Sequence, residues 1–171
     1  MSLGMPNFPS SFKVDLETAT LTATNRVAYD YWLAKRGDSC FPPTSALDPL
    51  EIPREVLTHF TVIEVLEPGP RFLVRLTGAA VREAAGRDYT GQMVDQMPGA
   101  EEVAERFAWC VHHRKPYCVR SRLTWSTNDF RSYEALVLPF GEPGGPVRKL
   151  ASVIALINAD DGPDHTSVNR L

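Results

Sequence analysis

The chain has 171 residues, 43% of them apolar, which suffices for one ordinary domain with its own core. A formal charge of -3 excludes nucleic acid as the main partner, because phosphate binding needs a surplus of clustered Lys and Arg. No apolar run nears the roughly 20 residues that cross a bilayer, and the N-terminus lacks the basic-then-apolar layout of a signal peptide.

Residues 1–19 carry Pro6, Pro9 and adjacent serines with no apolar period, so a disordered N-terminal arm is expected there. From Thr22 the pattern turns helical. Val27, Ala28, Tyr31 and Trp32 form one stripe, Thr24 or Asn25 can cap it, and Gly37 follows Lys35 and Arg36 as a stop. Phe41-Pro-Pro-Thr-Ser-Ala-Leu-Asp-Pro49 reads as an extended linker, followed by a short helix from near Pro49 to Leu57 with a break at Pro53. Residues 20–58 are thus an N-terminal helix plus a Pro-rich linker, ahead of a folded unit over 59–158.

The sheet is expected to start at His59 or Phe60. Thr61–Leu66 is β-branched, Glu67-Pro-Gly-Pro70 turns it, and Arg71–Thr77 alternates Phe72, Val74 and Leu76 against Arg71, Leu73 and Arg75. A crossover of short helices spans Ala79 to Met97. A longer helix follows from Glu101 to His113, its acidic start and basic end both suited to the helix dipole. Tyr117–Trp125 alternates Tyr117, Val119, Ser121, Leu123 and Trp125 against Cys118, Arg120, Arg122 and Thr124. Ser126–Asp129 is a turn, Phe130–Leu138 returns, and Pro139 opens a second turn. Leu150–Ile157 is apolar on both faces and reads as a central strand. Residues 159–171 are expected to be a flexible tail. Antiparallel hairpins flanking a helical crossover make the class α+β.

This order resembles a PAS domain, and in particular a bacterial branch of small single-domain PAS proteins. The likeness runs from about Tyr29 to Ile157. It is carried by Tyr31-Trp32, Arg36-Gly37, Pro42-Pro43, Leu47-Asp48-Pro49 and Ile52-Pro53. Arg75-Leu-Thr-Gly78, Gly86-Arg-Asp-Tyr-Thr-Gly91, Pro116, Tyr133 and Leu138-Pro139 extend it. The resemblance implies a five-stranded antiparallel sheet with short helices and one longer helix over one face, plus the N-terminal helix. It also implies a small internal cavity, and a homodimer built on that helix through Val27, Tyr31 and Trp32. Its usual role is sensing or protein–protein signalling rather than catalysis.

Candidate chemistry is sparse. Trp109, Tyr117, Arg122, Trp125 and Tyr133 are the expected ligand-binding residues, lining a cavity beneath the long helix, with core packing as the plainer alternative. Adjacent histidines on a helix point roughly 100° apart, so His112 and His113 do not suggest a shared metal ion. Either could serve as an axial haem ligand in the manner of haem-binding PAS domains, the simpler account being a cationic helix end. No cysteine lies around Arg87 to Met93 to form a covalent flavin adduct, and no nucleophile elbow or His/Asp pair supports hydrolysis. In Gly86–Gly91, Gly86 is expected to end one helix and Asp88 or Thr90 to cap the next. Cys40, Cys110 and Cys118 are odd in number and unrelated in context, which predicts free thiols and a reducing cytoplasm. The expectation is a cytoplasmic sensor that binds a small organic ligand or a partner protein, with no cofactor and no membrane. A small enzyme acting in the same cavity and a ligand-free interaction module are the alternatives.

Overall fold

Runs of β-branched and aromatic residues build the strands β1 (Phe60–Leu66), β2 (Arg71–Thr77), β3 (Tyr117–Arg122), β4 (Ser132–Gly141) and β5 (Val147–Ile157). They pair antiparallel in the order β2-β1-β5-β4-β3, so the last strand of the chain is the middle one of the sheet. The computed structural model describes residues 11–17, 19–122 and 132–157. Trp125, the Ser126–Asp129 turn and the expectations for residues 1–10 and 159–171 lie outside the described residues.

Between β2 and β3 run α3 (Ala79–Ala85), a single 3-10 turn at Val94–Gln96, and α4 (Glu101–His113). On the N-terminal side lie α1 (Ala23–Arg36), a 3-10 turn at Thr44–Leu47, and α2 (Arg54–Leu57). Among the described residues no helix is long and apolar enough to cross a membrane.

Both faces of the sheet are covered, which explains the continuous apolar character of β5. Leu150, Ala151 and Val153 are fully buried. Thr61, Ile63, Val119, Ala135, Val137 and Ile154 look toward the crossover helices. The opposite face meets α1, whose Asn25 side chain bonds the Glu134 carboxylate and whose Trp32 indole bonds the Pro139 backbone carbonyl of β4.

The structure corrects several expectations. The α1 cap is Thr22, whose hydroxyl accepts from the Asn25 N–H; Thr24 and Asn25 lie inside the helix. The buried stripe is Asn25, Ala28, Tyr29 and Trp32, so Val27 and Tyr31 flank it, half-buried. The stretch read as an extended linker is folded onto the core, with Phe41, Ala46, Ile52 and Val56 buried. Ahead of residue 20, Lys13 pairs with Cys118 at the edge of β3 and Leu16 is buried.

Pro139 was expected to end β4, yet it sits inside the strand opposite Leu150. β3 reaches only as far as Val137, so this side of Pro139 has no strand neighbour. Its carbonyl accepts the Trp32 indole N–H at 2.9 Å instead. In a strand the nitrogen points to the same side as the carbonyl, so the missing donor costs no ladder bond.

Candidate functional site

A cavity of about 450 Å³ lies between the inner face of the sheet and the crossover helices. That is within the size range of small-molecule pockets. Its floor is sheet: Thr61 and Ile63 from β1, Val74 from β2, Tyr117 and Val119 from β3, Tyr133, Ala135 and Val137 from β4, and Ser152 and Ile154 from β5. Period-two alternation puts these side chains on one face. Val81 and Ala85 of α3, and Val103, Arg106 and Phe107 of α4, form the roof. The 103/106/107 spacing is one face of a helix.

The mouth lies between the Gly86–Tyr89 loop and Pro98–Gly99, where Gly86, Arg87, Pro98 and Gly99 are exposed. Gly86 ends α3 in the left-handed region at φ 73°, as expected. Asp88 does not cap the next helical turn. Its carboxylate accepts the Thr90 N–H at 2.9 Å and closes the loop on itself. Hydrogen bonds from Thr90 hold the Asp88 pKa below the ordinary aspartate value. The loop then fastens to β2, where the Val74 N–H donates to the Gln92 carbonyl and the Gly91 N–H to the Val74 carbonyl. The mouth is therefore anchored to the sheet edge.

The walls are mainly apolar, with the hydroxyls of Thr61, Thr77, Tyr117, Tyr133 and Ser152 among them. Among the described residues the only charged lining side chains are Arg87 and Arg106, both cationic. Arg87 is exposed at the mouth and lies over the Tyr89 ring at 4.7 Å. Arg106 is only 6% exposed. Its nearest carboxylate is Glu102, 3.7 Å away with a side chain 84% exposed, and its Nε has no hydrogen-bond partner. Tyr117 is fully buried, and burial pushes its hydroxyl pKa well up. The neighbouring Cys110 pushes the same way, while Arg106 pulls it back.

Of the residues expected to bind a ligand, Tyr117 and Tyr133 line this cavity together. Trp109 and Arg122 do not, and Trp125 lies outside the described residues. Trp109 belongs to another face of α4, where its ring stacks on His113 at 4.5 Å and meets Phe12 edge-on at 5.2 Å. Arg122 is exposed and shares the opposite strand parity from Tyr117, which turns it away from the roofed face. Arg106 was missed. Its signal was a charge at helical spacing with Val103 and Cys110, on the apolar stripe of α4.

His112 and His113 are exposed at the end of α4, and His113 Nδ1 bonds the Trp109 carbonyl at 3.0 Å. Neither lines the cavity, so the residues present do not fit a haem held there by either histidine. Among the described residues no three His, Cys, Asp or Glu side chains gather as a metal ion would require. Trp32 is 2% exposed and spent within its own chain; Val27 and Tyr31 keep part of their surface.

An antiparallel sheet of five strands, split two and three by a helical crossover that roofs a chamber, defines a PAS-like α+β domain. The chain belongs to the PAS domain family, whose model matches residues 21–154. No curated protein and no solved structure matches it.

Proposed function

We propose that this PAS domain is a sensory or signalling module that binds a small organic molecule in the chamber and reports occupancy to a partner. The carrying observation is the roughly 450 Å³ cavity, apolar in its body and furnished with a few converging polar groups. The roof is made of α3, α4 and short loops, whereas the floor is a continuous sheet. A ligand that packs against both favours one roof position and so shifts the population of roof conformations. Among the described lining residues there is no Asp, Glu, His or Lys to move a proton, which supports sensing over catalysis.

The reporting surface is α1, which lies across the other face of the sheet. Homodimerisation would use the half-buried Val27 and Tyr31, with a signalling partner protein engaging the same outer layer and the chain acting in the cytoplasm. A melting-shift screen of small organic compounds, repeated on an Ala135→Phe variant that fills the chamber, tests the ligand half. The expected result is stabilisation of the native chain that the filled variant loses. Equal shifts in both would sink it. Sedimentation of the chain with Tyr31→Glu beside the native protein tests the dimer, which is wrong if the native chain sediments as a monomer.

A further inference from the structure

A buried cation whose carboxylate partner stands out in solvent is a costly arrangement, and the fold contains one. Arg106 sits on the chamber wall at 6% exposure. Burying a guanidinium is tolerated when a carboxylate meets it and its donors find acceptors. Here the guanidinium meets the Tyr117 hydroxyl, but Nε has no acceptor, and the one nearby carboxylate among the described residues, Glu102, stands 3.7 Å off on the solvent side. The other groups facing the same space are neutral hydroxyls and apolar side chains, apart from Arg87 at the mouth. Every formal charge on the described lining is positive. The described lining thus holds no carboxylate to meet Arg106 from the chamber side.

We propose that the ligand supplies that group: a small organic monocarboxylate, its carboxylate held by Arg106 and its aliphatic or aromatic body packed against Ile63, Val74, Phe107, Val137 and Ile154. This deepens the sensory reading above and rests on it. A planar guanidinium matches a carboxylate with two parallel hydrogen bonds, and its single charge cancels a single charge. A phosphate dianion would leave an uncompensated negative charge among the apolar walls. The Tyr117 hydroxyl beside Arg106 can donate to the same carboxylate. Arg87 at the mouth attracts an incoming anion before it is desolvated.

Calorimetric titration of the full chain tests this with straight-chain and phenyl-substituted carboxylic acids of increasing length. Each acid is paired with its primary amide, which has the same shape and no charge. The acids should bind at least about tenfold more tightly than their amides. Arg106→Gln should erase that preference, and Glu102→Gln should keep it. Amides that bind as well as acids would leave the chamber a ligand site and overturn the assignment of its ligand. Retention of the acid preference by Arg106→Gln would overturn the role of Arg106. No binding by any acid or amide would remove the ligand half of the sensory reading and this inference with it. The comparison on the native chain holds even if the Arg106 variant fails to fold.

Discussion

Asn25 and Glu134 lie 109 positions apart in sequence, yet the Asn25 amide nitrogen donates to the Glu134 carboxylate at 2.9 Å inside the core. The same carboxylate oxygen accepts the Thr22 N–H at 2.8 Å, and its other oxygen accepts Arg120 Nε at 2.8 Å. Glu134 is completely buried, so one carboxylate ties the start of α1 to β4 and to the edge strand β3.

Removing this clamp should be expensive. Glu134→Ala leaves the Arg120 charge and the Thr22 N–H without their acceptor and leaves the Asn25 amide only the residue 134 backbone carbonyl, at a cost of about 3–5 kcal/mol. Asn25→Ala deletes a neutral amide that makes two hydrogen bonds to Glu134 and should cost about 1–3 kcal/mol. Urea unfolding of both variants and the double mutant measures this. Additive losses would mean that the two residues do not act as a unit.

The three cysteines should separate by burial. Cys40 is exposed, whereas Cys110 and Cys118 are buried and desolvation pushes both thiols far above the ordinary range. The thiolate is the reacting species, so a thiol reagent at neutral pH should label Cys40 quickly and the other two only after unfolding. Rapid labelling of Cys110 in the native protein would contradict this packing.

The loop at the mouth should hold at neutral pH and loosen in acid. The Asp88 pKa is lowered from 3.8 by the Thr90 hydrogen bonds. A depressed carboxylate stabilises the folded state above its unfolded pKa, and that contribution disappears as pH falls through the folded value. Carboxyl chemical shifts should therefore place the Asp88 midpoint below that of an ordinary aspartate. Thr90 amide protection should fade over the same interval, and Asp88→Asn should abolish this acid dependence. A midpoint at or above 3.8 would refute the turn.

Gly78 joins β2 to α3 where no side chain fits. A Cβ there would lie 2.1 Å from the Thr58 carbonyl oxygen and 2.8 Å from that of Phe60. Both contacts are backbone, so Gly78→Ala must shift β1 against α3, and a loss of roughly 3 kcal/mol or more is expected. Gly91, at φ 88° with open space around it, should lose only about 1–2 kcal/mol on the same change, from backbone strain alone. Denaturant midpoints compare the two, and equal losses would argue against the close approach at Gly78.

The β-branched run of β1, the alternation of β2, the two-faced apolar run of β5, the Glu101–His113 helix and the glycine stops are all legible in the linear chain, because each depends on neighbours a few residues away. The same local logic put Tyr117 and Arg122 on opposite faces of one strand. It could not say which face is roofed, so both were nominated for one cavity and only Tyr117 lines it. Rotation of α1 was misjudged for a related reason: an apolar count favoured Val27 and Tyr31, while the Glu134 carboxylate draws Asn25 inward.

Residue order alone determined the antiparallel α+β plan and the family likeness, since hydrophobic period and turn chemistry are properties of short segments. Tertiary packing decided where charge is buried. Glu134 meets its partners from β3 and α1, and among the described residues Arg106 meets Glu102 and a tyrosine hydroxyl, because desolvation and pairing depend on segments that come together only in the folded chain.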